Sequence, residues 1–183
     1  MHTQAEPARY RENLPSHGAN RTDIPVALTA LLPDMFALCL KTKNFHWHVS
    51  GPHFRGYHSM LDEQATQILG TTDAVAQRVR KLGGPGIAYI GHISRLRHTE
   101  DKHVNELASG DRLAELLADN RMLADQMAKT HSLCDETGDI ASASLIEAWI
   151  DEAQDRSWFL QEAAQRASAS RSQHNATQSV ICC

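Results

Sequence analysis

Four histidines fall within thirteen residues: His46, His48, His53 and His58. Two carboxylates and an amide follow them at Asp62, Asp73 and Gln77. On a helix, His58 and Asp62 stand four residues apart and share a face. Asp73 comes eleven residues after Asp62. That is about three turns, so it returns to nearly the same face, and Gln77 is one further four-residue step. Imidazole with carboxylate is a donor set for a divalent transition metal such as iron or zinc. The same spacing also describes an ordinary solvated helix face, and for His58 and Asp62 alone the two readings weigh equally.

Distance constrains the metal reading. At about 1.5 Å per residue, Asp62 and Asp73 are roughly 16 Å apart along the axis. One ion cannot touch both within one chain. A second copy, antiparallel across a two-fold axis, would bring its Asp73 to the first copy's Asp62, because each chain then donates both halves. A metal site built on this stripe is therefore expected to be shared in a homodimer.

The elements that must carry these residues read as helices. Leu28, Leu31, Leu32, Met35, Leu38, Thr42 and Phe45 form one stripe at helical spacing, interrupted by Pro33, where a kink or a later start at Asp34 is expected. Gly51-Pro52 ends it. A second segment runs from about Phe54 to Leu82 and stops at Gly83-Gly84-Pro85-Gly86, a turn with no strand before it and no phosphate-loop lysine after it. Residues 87–110 are mixed, with a short helix expected near Ile93–Arg97. A third stripe (Leu113, Leu116, Leu117, Leu123, Met127, His131, Cys134) ends at Gly138, and a fourth follows (Leu145, Ile146, Trp149, Ala153, Leu160, Ala164). No convincing period-two alternation occurs. The expected fold is all-α: a four-helix bundle of the ferritin-like kind, its crossover between helices two and three. The expected boundaries are a mobile tail over 1–22, the bundle over 23–166 and a second tail over 167–183.

Composition sets the outer limits. With 183 residues, 42% hydrophobic and 22% charged, the chain has the composition of one globular domain. The start of the chain has no apolar run of the secretory type, and no bilayer-length apolar stretch is read, so a cytoplasmic setting without membrane contact is expected. Cys39, Cys134, Cys182 and Cys183 form no CxxC pair, which argues against a zinc ribbon or thioredoxin-type site. Net charge is −4, but residues 1–22 carry +1, 163–183 carry +2 and the body between them −7. An acidic body attracts cations and repels nucleic acid.

The string KTKNFHWHVSGPHF, followed by YHSMLDEQ, Asp73 and RVRKLGG, resembles the Dps family, the DNA-binding proteins from starved cells or mini-ferritins. IGHISRL at 90–96, HSLCDETGDIASASLIEAWIDEA at 131–153 and WFL at 158–160 extend the resemblance over roughly 23–166. It implies a bundle with a short crossover helix, a dodecameric homo-oligomer built from two-fold dimers, and a ferroxidase centre at the two-fold interface. Carried over by motif, the ligands are His46, His58 and Asp62 of one chain, with Asp73 and the residue at 77 from its mate. Trp47 matches the family's tryptophan beside the centre, while His48 and His53 fall outside the ligand pattern.

The resemblance also implies chemistry: Fe²⁺ bound at the interface and oxidised by hydrogen peroxide or oxygen, with ferric iron stored in the shell and DNA protected. Zinc is the expected substitute ion. Imidazoles ligate only when neutral, so activity is expected to fall below about pH 6. Asp139, Glu147 and Asp151 are candidates for an acidic pore admitting iron, and Asp139 is equally a candidate helix cap.

Two residue choices depart from the pattern. Position 77 is Gln where the family has a bridging Glu, so the second iron is expected to be held weakly. The N-terminal tail contains no lysine, so DNA contact is expected to be weak and multivalent. An alternative reading is a nucleoid-associated or structural shell whose metal site has degenerated through Gln77. A third is a ferritin-like shell adapted to an unrelated small-molecule reaction.

Overall fold

The computed structural model describes residues 20–99 and 109–181, with side chains to 167. After a single 3₁₀ turn at Arg21–Asp23 come α1 (Ile24–His48), α2 (Phe54–Lys81), α3 (Ile90–Leu96), α4 (Ser109–Thr137) and α5 (Ile140–Ile181). There is no strand among the described residues. α1 packs along α2 and α4 along α5, and the two hairpins meet chiefly through α1 and α4. The short α3 lies against α1 within the α2–α4 crossover.

The stripes form the core. Leu28, Leu32, Met35 and Leu38 of α1 meet Leu61, Ile68, Val75 and Val79 of α2. Leu116, Leu123 and Met127 of α4 and Ile146, Trp149 and Leu160 of α5 complete it. Each such side chain contributes about 1.5–3 kcal/mol through burial. By length and composition α1 could cross a membrane; here Leu28, Leu31, Leu32 and Leu38 line this core.

Several local expectations shift. α1 starts at Ile24, with Pro25 in its first turn, and continues through Pro33. Pro33 forfeits one backbone donor, yet the buried residues on either side hold the helix together. The crossover helix begins at Ile90, three residues earlier than expected. His131 is only half-buried, and Thr130 takes the inward position. Leu145 is exposed, and Ala143 is buried instead. α5 continues past 166 to Ile181, so the backbone of residues 167–181 is helical. Most of the N-terminal segment, along with Cys182 and Cys183, lies outside the described residues.

The turns follow glycine chemistry. Gly138 takes a φ of +70° and closes α4, a left-handed conformation that other residues adopt at a cost. At Gly84 a Cβ would lie 2.7 Å from Val79 Cγ1 and 2.8 Å from Pro25 Cβ, so the crossover leaves α2 pressed against the start of α1.

Candidate metal centre

The end of α1 and the start of α2 bring His46, His58 and Asp62 together. The connection, Val49–His53, is short enough to fold the two helices back on each other. His46 Nδ1 donates a hydrogen bond to the His58 carbonyl oxygen at 2.8 Å. A carbonyl can only accept, so the proton sits on Nδ1 and the neutral ring keeps its lone pair on Nε2. That Nε2 lies 3.9 Å from Asp62 Oδ1. The two imidazole centroids are 3.8 Å apart, and Phe54 closes over His58 at 5.2 Å. Fixing one ring nitrogen so that the other is free to ligate is the usual arrangement of a metal-binding histidine.

Lys43, one turn before His46 on α1, fills the gap. Its ammonium forms an ion pair with Asp62 Oδ1. This contact is the main reason the Asp62 carboxyl lies below its ordinary pKa, with the nearby imidazoles adding to the effect. The residue is not among those singled out from the sequence. Its signal there is positional: three residues before His46, it falls on the same helix face.

The other expected ligands stand apart in this chain. Asp73 and Gln77 are exposed on the outer face of α2, opposite the buried Ile68, Val75 and Val79. Gln77 Nε2 donates to Asp73 Oδ2 at 2.7 Å, occupying one lone pair of that carboxylate. Among the described residues of one chain, no three His, Cys, Asp or Glu side chains are gathered to hold an ion. His48 turns Nδ1 to the carbonyl of Asn44 on its own helix at 2.8 Å, and His53 rests on Tyr57 at 5.7 Å. Trp47, beside the pair, is 61% exposed.

The pore candidates separate by environment. Asp139 caps α5 through the Ser142 amide at 3.3 Å and pairs with Arg78 at 2.8 Å. Burial alone would raise its pKa, but the bonds from Ser142 and Arg78 outweigh it and hold the carboxyl low. Glu147 and Asp151 are exposed.

A further surface bears on assembly. Leu40 and Ile90 are exposed on an apolar groove between α1 and α3 that Phe36, Phe45 and Ile93 also line, Ile90 by 83%. Singly exposed apolar residues are ordinary, but a contiguous set marks an interaction surface.

Comparison with known proteins adds the following. Residues 26–169 match the ferritin-like domain family. A DNA protection during starvation protein of Mycolicibacterium smegmatis is 31% identical, over 76% of this chain and 75% of its own. One from Agrobacterium fabrum is 29% identical, over 87% and 98%. Among solved structures, a Dps protein from Vibrio cholerae superposes with a TM-score of 0.73 at 21% identity. It covers 78% of this chain and 89% of its own, and is described as a member of a broad superfamily of ferritin-like diiron-carboxylate proteins.

Proposed function

The chain belongs to the Dps family of ferritin-like proteins, and on that premise we propose that it oxidises Fe²⁺ and stores the ferric product. The observation that carries this reading is the pair His46–His58 beside Asp62. One imidazole is held by a backbone carbonyl, with its ligating nitrogen facing the carboxylate. His46, His58 and Asp62 receive substrate Fe²⁺ from one side. Asp73 and Gln77 of the same chain serve the centre of a two-fold mate, since about 16 and 22 Å of helix separate them from Asp62. The apolar groove between α1 and α3 is the natural seat for that mate. In the wider assembly, a dodecamer, the ferric ions collect inside the shell.

Oxidation of two Fe²⁺ by one hydrogen peroxide, with two protons, gives two Fe³⁺ and two waters. Removing both reactants suppresses hydroxyl-radical formation and so protects DNA without requiring contact with it. Oxygen serves as the slower oxidant, Zn²⁺ competes for the same ligands, and the setting is cytoplasmic. Gln77 in place of a carboxylate leaves the second iron weakly held, so turnover is slow relative to a centre with a bridging Glu at that position. Lys43 must leave Asp62 before iron binds.

One observation favours a second reading, the non-turnover shell: the Gln77 amide already occupies Asp73. Anaerobic Fe²⁺ titration of the purified assembly, followed by peroxide and absorbance in the ferric-oxo region, separates the two. Rapid oxidation with iron kept soluble supports the ferroxidase. Binding without accelerated oxidation leaves the non-turnover shell as the conclusion. DNA contact is read by gel shift at two salt concentrations; no shift at low salt removes DNA from the list of partners.

A further inference from the structure

The two hairpins meet along α1 and α4, while α2 touches α5 little. The gap between α2 and α5 is a groove of about 530 Å³, the size of a small-molecule site. Gly56 and Met60 of α2 and Phe159 of α5 line it, beside Gln64 and Arg156. Gly56 adds room, since a Cβ there would meet nothing within 4 Å. Phe159 stands 52% exposed. None of the proposed iron ligands lines this groove.

Two buried polar groups of this groove are incompletely satisfied. Arg156 is 3% exposed, and its Nε and Nη1 donate to the amide oxygens of Asn120 and Gln67 at 2.9 Å each. Both partners are neutral. Nη2 donates to nothing among the described residues, and Glu152 and Asp155 act on the guanidinium only through space. Burial pushes the Arg156 pKa down to about 10. Gln64 is 6% exposed; its Nε2 donates to the Arg156 carbonyl at 3.4 Å, while its Oε1 has no partner. A guanidinium with a free edge suits a carboxylate. An orphan amide oxygen needs an N–H donor. The exposed Glu63 and Asp155 also line the groove, and they repel a simple anion and attract an ammonium.

We propose that the α2–α5 groove binds a zwitterion, an α-amino acid with an apolar side chain. Its carboxylate accepts from Arg156 Nη2. Its ammonium donates to Gln64 Oε1, which turns toward it about the soft terminal torsion of the amide, and faces Glu63 and Asp155. Its side chain lies on Met60 and Phe159. Asn120 and Gln67 fix the plane of the guanidinium without neutralising it, so the charge is kept for the ligand. A bare amine leaves Arg156 unpaired. A bare carboxylate leaves Gln64 unpaired and meets the two acids. The zwitterion answers all three groups at once.

Calorimetric titration of the intact assembly with L-phenylalanine tests this. The controls are phenethylamine, which lacks the carboxylate, and 3-phenylpropanoate, which lacks the ammonium. L-phenylalanine should bind once per chain and at least about tenfold more tightly than either control. Glu63→Gln with Asp155→Asn, both at exposed positions, should weaken L-phenylalanine about tenfold and leave 3-phenylpropanoate no weaker. Gly56→Leu fills the groove and should abolish binding; its Cβ meets no neighbour, so an unchanged melting curve is expected beside that loss. Either control binding as tightly as L-phenylalanine would overturn the proposal. So would L-phenylalanine binding untouched by Gly56→Leu, or no binding at millimolar concentration.

Discussion

Lys41 and Lys43 stand two residues apart on α1, and their surroundings could hardly differ more. Lys41 is held between Glu115 and Asp119 of α4 at 2.8 and 2.7 Å, its side chain only 10% exposed. Burial alone would lower its pKa, but the hydrogen bonds from its ammonium to Asp119 and Glu115 raise it instead. Lys43 meets a single carboxylate, Asp62, whose side chain is 50% exposed. The first cluster is closed within the chain and joins the two hairpins. The second is open and lies beside an imidazole whose other ring nitrogen is fixed by a backbone carbonyl; under the proposed function, a second copy supplies its remaining ligands. Polar groups completed inside one chain build this bundle; the one left open is where the proposed chemistry is placed.

The sharpest way to break the contrast is to empty the open cluster. His58→Ala with Asp62→Ala should lower peroxide-driven Fe²⁺ oxidation to background, at least about a hundredfold, because two of three ligands vanish. Thermal stability should change by less than about 1 kcal/mol, as expected for surface positions. The ferric absorbance trace and a melting curve check both halves.

Lys41→Met should do the reverse. It strands two largely buried carboxylates and should cost about 3 kcal/mol, read by denaturant unfolding, while oxidation per folded assembly stays unchanged. A large loss of oxidation with normal stability would mean that the closed cluster takes part in the chemistry after all.

A second closed cluster extends the contrast to pH. Asp34, buried in α1, accepts from His98 and Thr99 of the crossover and from Gln126 of α4. Burial acts to raise its pKa, but these donors, His98 foremost, lower it. A carboxyl depressed in the folded state stabilises above its unfolded pKa of about 3.9 and loses that contribution as pH falls through the lower folded value. Unfolding should therefore steepen below about pH 4. Asp34→Asn should flatten that limb of an acid titration followed by circular dichroism. An identical acid limb in the variant would remove Asp34 from the account.

Gln77→Glu tests the open cluster from the mate's side. A carboxylate there restores a second anionic ligand, so iron bound per centre should rise from one toward two and the oxidation rate by about tenfold. Equal rates would show that Gln77 is no handicap.

How much of this was legible beforehand follows from which forces act locally. Stripes such as Leu28–Leu32–Met35–Leu38 were readable because burial imposes helical period on apolar residues, and Gly51, Gly83 and Gly138 punctuated them. That His58 and Asp62 share a face was readable because spacing on one helix fixes a face; His46, on α1, was named only through the family resemblance. Lys43 was not, because a lysine among polar residues gives no periodic signal and its partner lies nineteen residues away. Asp34 and Arg156 stayed hidden for the same reason. Arg156, buried and holding Asn120 and Gln67 at 2.9 Å each, sits on the inward stripe between Ala153 and Leu160, where a stripe reading expects an apolar residue. Long-range polar contacts depend on how helices are brought together, which the period of one helix does not encode.

The mildest change is also the most specific. Lys43→Ala removes the ammonium paired with Asp62 Oδ1 and leaves the imidazoles of His46 and His58 near the carboxylate. The carboxyl pKa should rise toward its ordinary value, since the Lys43 contact is the main cause of its depression. Exposed ion pairs are weak, so the gain in Fe²⁺ or Zn²⁺ affinity should be small, about threefold. It should also fade with salt, because screening weakens the wild-type pair itself. Lys43→Arg keeps the charge and should leave affinity near wild type. A titration at two ionic strengths separates these cases. Equal affinities for Lys43→Ala and wild type at low salt would mean that Lys43 does not compete for Asp62 once a second copy completes the centre.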